Sequence, residues 1–237
     1  MTDDVRSDPW FGKITDDRLE VMRTQIGIET EVVPWFRTVD EDAVWHLAQG
    51  VGDDNPLWWS RPSASATPVG RMFAPSTFLC AVQVEARKPI SSARGTEGWL
   101  PGVVGLNGGK RWIWQRPVWV GETLRVTHQL HVREGKPRSE RGSVVQQELF
   151  KFYGTDDLVA ELYKTLLRFE RGEAPTVPDE TECAPTPLQD ADRDDIARRY
   201  AEESSRRRGS TGRLWEDVLV GCDVPSHLKA LPGSQWV

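Results

Sequence analysis

The chain has 237 residues, 38% hydrophobic and 28% charged, with a formal net charge of −6, which suits one generous soluble domain or a domain with an appendage. The acidic total leaves no basic face for nucleic acid, and no apolar run nears the roughly 20 residues of a membrane helix. Three distant cysteines, Cys80, Cys183 and Cys222, make neither a disulfide framework nor a metal-ligand spacing, and the start MTDDVRSDPWFGK is acidic where a signal peptide is basic; the expected location is a reducing cytoplasm.

Residues Asp16 to Ile26 place Leu19, Met22 and Ile26 at i, i+3 and i+7, a short amphipathic helix. Asp40 is placed to cap a second helix, DEDAVWHLAQG, with Val44, Leu47 and Ala48 on one face and Gly50 as its stop. From Val51 to Pro68 no period holds, and GDDNPLWWSRPSASATP reads as a loop that nonetheless carries Trp58 and Trp59. A long loop with buried-type aromatics is more often a binding loop than a connector. FAPSTFLCAVQVEAR then predicts a helix apolar nearly all round, hence buried, with Pro75 in its first turn and Ser76 or Thr77 as cap.

After a Gly-rich connector (Gly95 to Gly109) the period changes to two. RWIWQRPVWV, ETLRVTHQLHV, SVVQQELFKFYG and LVAELYKTLLRFE predict four successive antiparallel strands; in the second, Leu124, Val126, His128 and Leu130 alternate with polar residues. The pattern is α+β, a meander wrapped on a buried helix. Past Arg171, GEAPTVPDETECAPTPLQDADRDD has the composition of a linker and IARRYAEESSRRR that of an exposed charged helix, before a tail from Arg213 to Val237. Tryptophan is over-used, 11 residues, with clusters at Trp45, Trp58 and Trp59 and at Trp112, Trp114 and Trp119. The ordinary reading of these is core filling, and the sharper one is that some of them line an apolar ligand groove.

The string Gly52-Asp53-Asp54-Asn55-Pro56-Leu57-Trp58, followed some fifteen residues on by Phe73-Ala74-Pro75-Ser76-Thr77-Phe78, resembles the MaoC-like hydratase/dehydratases, in particular their fatty-acid-synthase-type N-terminal dehydratase domain. LNGGKRWIWQRPVWVGETLRV, with a polar-Pro-x-x-x-Gly-acid signature at Arg116 to Glu122, and ELFKFYGTDDLVAELYKTLLRF resemble that family's strands. The resemblance covers about Asp16 to Glu170. It implies a hot-dog fold, an antiparallel sheet wrapped around a long buried helix, over residues 1–171, then a linker and charged helix at 172–212. Residues 213–237 resemble the start of a second hot-dog half, the string RLWEDVLV before Gly221 carrying that likeness.

Hydration of an enoyl thioester needs a base to activate water, an acid for the α-carbon, and donors for the developing enolate oxygen. In the family an Asp and a His five residues apart on one loop do the first work, and backbone N–H groups at the start of the buried helix do the second. Position by position, Asp53 matches the aspartate, Asn55 and Pro56 match, and the histidine position is Trp58, whose indole neither accepts nor delivers a proton at neutral pH. The histidine often found before the Gly-Gly pair is Asn107 here, followed by Gly108. The four histidines, His46, His128, His131 and His227, sit on the second predicted helix, a strand and the tail.

The resemblance therefore implies a subunit of an (R)-specific enoyl-CoA hydratase or 3-hydroxyacyl-thioester dehydratase. Such a subunit shapes the acyl tunnel while a MaoC-like partner supplies Asp and His, as the inactive half does in double hot-dog enzymes. The expected catalytic carboxylate, if one works, is Asp53. The expected groove residues are Asn55, Trp58, Trp59, Phe73, Ala74, Pro75, Ser76, Thr77, Asn107 and Gly108. The substrate is an acyl thioester, on CoA or a carrier protein, with no metal or further cofactor. The partner is a MaoC-like subunit or a second copy of the chain. Two alternatives stay open: a non-catalytic acyl-thioester-binding scaffold, and a hot-dog thioesterase working with a lone carboxylate.

Overall fold

A computed structural model describes residues 12–34, 36–82, 100, 103–131, 143–170, 189–206 and 215–222. The chain divides into two compact units, Met1–Val39 with Ser76–Thr176, and Asp40–Pro75 with Val177–Val237.

The first unit opens with α1 (Asp16–Thr24), capped by the Thr15 hydroxyl and buried through Met22. The helix stops two residues short of the predicted end. Gly27 adopts φ 80° and donates its N–H to the Leu130 carbonyl at 2.9 Å, which turns the chain toward the sheet and leaves Ile26 42% exposed. Ile14, Met22, Leu100, Val103 and Leu130 form one buried cluster, with Leu19 and Val144 packed against it.

Among the described residues the sheet has five strands: β1 (Thr30–Val32), β3 (Val104–Trp114), β5 (Arg125–Leu130), β6 (Ser143–Tyr153) and β7 (Leu158–Phe169), in the order β1-β5-β6-β7-β3. Two further short extended pieces are β2 (Phe73–Ala74), in the second unit, and β4 (Val118–Trp119). The predicted meander holds for β5, β6 and β7. The string RWIWQRPVWV departs from it. It ends at Trp114, before Pro117 removes a ladder donor, and pairs with β7 (Trp112 opposite Leu162) instead of with β5. Strand β3 also begins at Val104, inside the stretch read as a glycine connector. At Gly108 the neighbouring strand comes close: a Cβ there would meet Thr165 Cγ2 at 3.2 Å and Leu167 Cγ at 3.3 Å. The register slips between Asn107 and Gly109, where Gly109 takes φ 134°, a bulge only glycine accepts readily. Strand β1, too short for a period, had no sequence signal.

Register assigns one apolar face. Val126, Phe152, Ala160 and Trp114 lie in one row across β5, β6, β7 and β3, and His128, Phe150, Leu162 and Trp112 in the next. Helix α4 (Phe78–Ala81) begins three residues after Pro75, which stands outside it. Phe78, Leu79 and Val82 are at most 1% exposed, in keeping with a buried helix, while Cys80 is exposed. The remainder of the predicted helix, 83–87, lies outside the described residues.

In the second unit Asp40 caps α2 (Glu41–Gly50) by accepting from the Ala43 N–H at 2.7 Å. Val44 and Ala48 are buried, and Trp45 faces outward. The expected structureless loop contains a 3₁₀ turn, Pro56–Trp58, and a short helix α3 (Arg61–Ser65). Each has its own cap and an early proline: Asn55 Oδ1 accepts from Leu57 N, and the Ser60 hydroxyl from Ser63 N. Helix α5 (Asp190–Arg206) has the expected solvated charge pattern, with Arg198 paired to Asp195 and Glu202. In the tail, Trp215–Asp217 make a 3₁₀ turn, and Val218, Leu219 and Val220 are exposed. Cys183, His227, most of the linker and residues 223–237 lie outside the described residues. No described helix is long and apolar enough to cross a membrane.

Candidate functional site

The matching loop starts where α2 ends. Gly52, at φ 68°, lets the chain turn back so that the Asp53 N–H reaches the Ala48 carbonyl at 2.8 Å. This turn presents the Asp53 carboxylate to its own loop. Oδ1 accepts from the Asn55 N–H at 3.1 Å, and Oδ2 accepts from Trp58 Nε1 at 2.9 Å. The Trp58 ring stands edge-on to Phe73, centroids 5.4 Å apart at 88°. The 3₁₀ turn capped by Asn55 brings residue 58 back over residue 53, and the indole N–H satisfies the carboxylate.

The expected catalytic carboxylate Asp53 and the expected groove residues Asn55, Trp58 and Phe73 thus come together in the second unit. Trp59 is not among them; it turns outward and is 52% exposed. Ala74 is buried and Pro75 half-buried. Ser76 and Thr77 belong to the first unit and are exposed, and Thr77, at the N-cap of α4, makes no side-chain capping bond. Asn107 and Gly108 form the exposed bulge of β3, where Asn107 Oδ1 accepts from the Gly109 N–H at 3.3 Å; the asparagine serves its own turn.

The chemistry available at the loop is limited by its donors. Both oxygens of Asp53 carry a hydrogen bond, and the side chain in the histidine position is a donor only. His46 is exposed and lies against Trp45, while His128 and His131 belong to the first unit. Among the described residues no group of three or more His, Cys, Asp or Glu could hold a metal ion.

The signature Arg116 to Glu122 is a brace. Arg116 pairs with Glu122 at 2.9 Å and with Asp157 at 2.7 Å, and Glu122 Oε1 also accepts from the Trp119 N–H at 2.7 Å. The carboxylates of Asp157 and Glu122 raise the Arg116 pKa further above its ordinary value, and the Arg116 guanidinium holds the Asp157 carboxyl below its own. The string thus fixes the turn from β4 toward β5.

One group of polar side chains gave no motif: His128, Gln146, Glu148 and Lys164, on the apolar face of the sheet in the first unit. The signal was present in the alternation of SVVQQELFKFY, where Gln146 and Glu148 share parity with Phe150 and Phe152.

A family model described as the FAS1-like dehydratase domain region matches residues 24–148. Among solved structures, the chain resembles one in the ChsH1-ChsH2 complex from Mycobacterium tuberculosis, with 14% identity and TM-score 0.51 over 66% of this chain and 98% of that one. It also resembles a MaoC-like dehydratase, with 20% identity and TM-score 0.50 over 63% of this chain and 44% of the other. At such identities these likenesses speak for the fold, the hot-dog arrangement of an antiparallel sheet with a helix. No curated protein matches the chain.

Proposed function

The chain belongs to the family of FAS1-like dehydratase domain regions, and from that premise we propose that it is the tunnel-shaping subunit of an (R)-specific enoyl-CoA hydratase or 3-hydroxyacyl-thioester dehydratase, with a MaoC-like partner supplying the Asp/His dyad. The observation that carries this reading is the 2.9 Å bond from Trp58 Nε1 to Asp53. Hydration needs a proton acceptor and a proton donor that exchange roles over the cycle; an indole N–H fixed on a carboxylate can do neither. The loop keeps the shape of a substrate wall, with Trp58 against Phe73, and gives up the proton transfer. That a solved structure of similar fold is a two-component complex supports assembly with a second subunit. In this reading residues 1–171 are the tunnel half, and 213–237 lead toward a partner. The thioesterase alternative stands on Asp53 alone, whose carboxylate is engaged by the Asn55 N–H and the Trp58 indole N–H.

The test is turnover of crotonyl-CoA and longer enoyl-CoAs. The purified chain alone is expected to run barely above background, since loss of a general acid/base costs about 10² to 10⁴ in rate, and a MaoC-like protein with an intact D-x-N-x-x-H loop is expected to restore hydration. Robust hydration by the chain alone would overturn the assignment, and release of free thiol from acyl-CoA would replace it with the thioesterase.

A further inference from the structure

Helix α1 crosses the apolar face of the sheet as a strap. Its N-terminal end is held just beyond β7, where the buried Glu170 carboxylate accepts from the Ile14 N–H at 2.8 Å and from Lys13 Nζ at 2.5 Å. Its C-terminal end meets β5, where Gly27, at φ 80°, donates to the Leu130 carbonyl at 2.9 Å and Ile26 makes a single bridge to Leu130. Strands lie about 4.8 Å apart and a helix rises about 1.5 Å per residue. The nine residues of α1 therefore span about 13 Å, enough to cross from β7 over β6 to β5. The strap is also one piece. Thr15 caps it, the Leu19 N–H reaches the Thr15 carbonyl at 3.0 Å, and Arg18 Nη1 reaches back to the Lys13 carbonyl at 2.9 Å.

Its apolar grip is shallow. Ile14 and Met22 are buried with Leu100, Val103 and Leu130, flanked by Leu19 and Val144, while Val21 on the outer side is 48% exposed. The surface beneath is partly polar. Leu130 stands opposite Glu148 and Val144 opposite Arg168, with Gln146 between Val144 and Glu148 on the same face of β6. Gln146 Nε2 donates to Glu148 Oε1 at 2.8 Å, and Arg168 Nη2 donates to the Leu100 carbonyl at 2.9 Å. Gln146 Oε1 and Arg168 Nε are buried and make no hydrogen bond within the protein. Polar atoms left unsatisfied raise the free energy of the closed state, and water removes that cost once the cover lifts. A rigid piece with a glycine at one end, a small apolar contact and unsatisfied polar atoms below it has the make-up of a segment that opens locally.

We propose that residues 13–26 are a detachable strap that opens about Gly27 as one unit while the sheet stays folded, with Glu170 as its latch. Both bonds that Glu170 makes to the strap, to Lys13 and to Ile14, break in that motion. Opening bares Leu130, Val144, Gln146 and Arg168 and gives an approach to the apolar face from the α1 end.

The experiment is residue-resolved hydrogen exchange on the full chain. The helical amides from Leu19 to Gln25 are expected to share one opening constant, larger than that of the amides of β5, β6 and β7. Glu170→Gln removes the charge and keeps an acceptor for Ile14; it should raise the strap's opening constant about tenfold, the scale of one charge-assisted hydrogen bond. Lys13→Gln, at a side chain 57% exposed, should raise it about threefold, the scale of a partly exposed ion pair. Protection of β6 and β7 should stay unchanged in both. If Glu170→Gln loosens the sheet as well, Lys13→Gln decides. Strap amides exchanging in step with β6 would overturn the proposal, because α1 would then open only with the whole unit. A gradient of rates falling from Leu19 to Gln25, the mark of a fraying end, would overturn it too, as would a strap indifferent to Lys13→Gln.

Discussion

Gly154 shows how much one residue can decide. A Cβ built there would run into the Arg116 guanidinium, with Glu122 Oε2 at 2.9 Å and Asp157 Oδ1 at 3.1 Å. All three are the partners of the brace that holds the β4–β5 turn. Gly154→Ala is expected to lower stability by about 1–3 kcal/mol. In urea titrations its effect should be non-additive with that of Arg116→Ala, because both act on one network. Glu29 gives a second test. Lys151 and Thr127, through their hydrogen bonds, hold its carboxyl below the ordinary 4.5, and Glu29 in turn raises the Lys151 ammonium above 10.5. A depressed carboxyl stabilises the fold above its unfolded value and loses that contribution as pH falls through the folded one. A raised amine stabilises below its unfolded value and loses it as pH rises. The pair is thus fully stabilising between about pH 5 and 10, and denaturant midpoints of the native chain and Glu29→Gln should differ there and converge in acid. What the sequence conveyed at this scale was identity: a tryptophan in the histidine position was plain. That its N–H would close on Asp53 was not, because that bond depends on the 3₁₀ turn from Pro56 to Trp58.

At the scale of elements, the buried start of α4 is the sharpest expectation. Leu79 is fully buried between Phe78 and Val82 in the chain, so Leu79→Ala is expected to cost about 2–5 kcal/mol by chemical denaturation. A loss below about 1 kcal/mol would mean that the surrounding core collapses around the smaller side chain. Strands β5, β6 and β7 were legible because side-chain alternation and turn residues agreed. Strand β3 was legible only in its second half. Its first half holds Gly108 and Gly109 for reasons that sequence does not carry, the close approach of Thr165 and Leu167 to the one and the positive φ of the other. The loop from Val51 hid a turn and a helix because each is only one turn long, too short to establish a period, though the Asn55 and Ser60 caps could have been read. The polar row at Glu148 and Lys164 was hidden for the opposite reason: alternation reports which face a residue shares, and a run of charged parity partners reads as solvent-facing until the register is known.

At the scale of the molecule, the sheet ends on β3, whose eleven residues pair, among the described residues, with β7 alone. A long strand with an open side invites a second chain, so light scattering at micromolar concentration is expected to give a dimer or larger. Removing 213–237, which includes the exposed Val218, Leu219 and Val220, should weaken that association and leave the far-ultraviolet signature of the sheet intact. A monomer indifferent to both the deletion and a MaoC-like partner would contradict the assembly reading. The strand order has one more effect, and it concerns time. Val104 pairs with Phe169 and Trp114 with Ala160, so β3 is made long before the strand it needs. At about 5–20 residues per second of synthesis, the Trp112 and Trp114 stretch leaves the ribosome several seconds ahead of β7, with nothing yet available to cover it. The newborn chain passes through an interval in which its most adhesive segment waits uncovered, and its yield in a cell depends on what holds that segment apart from its neighbours until the last strand arrives.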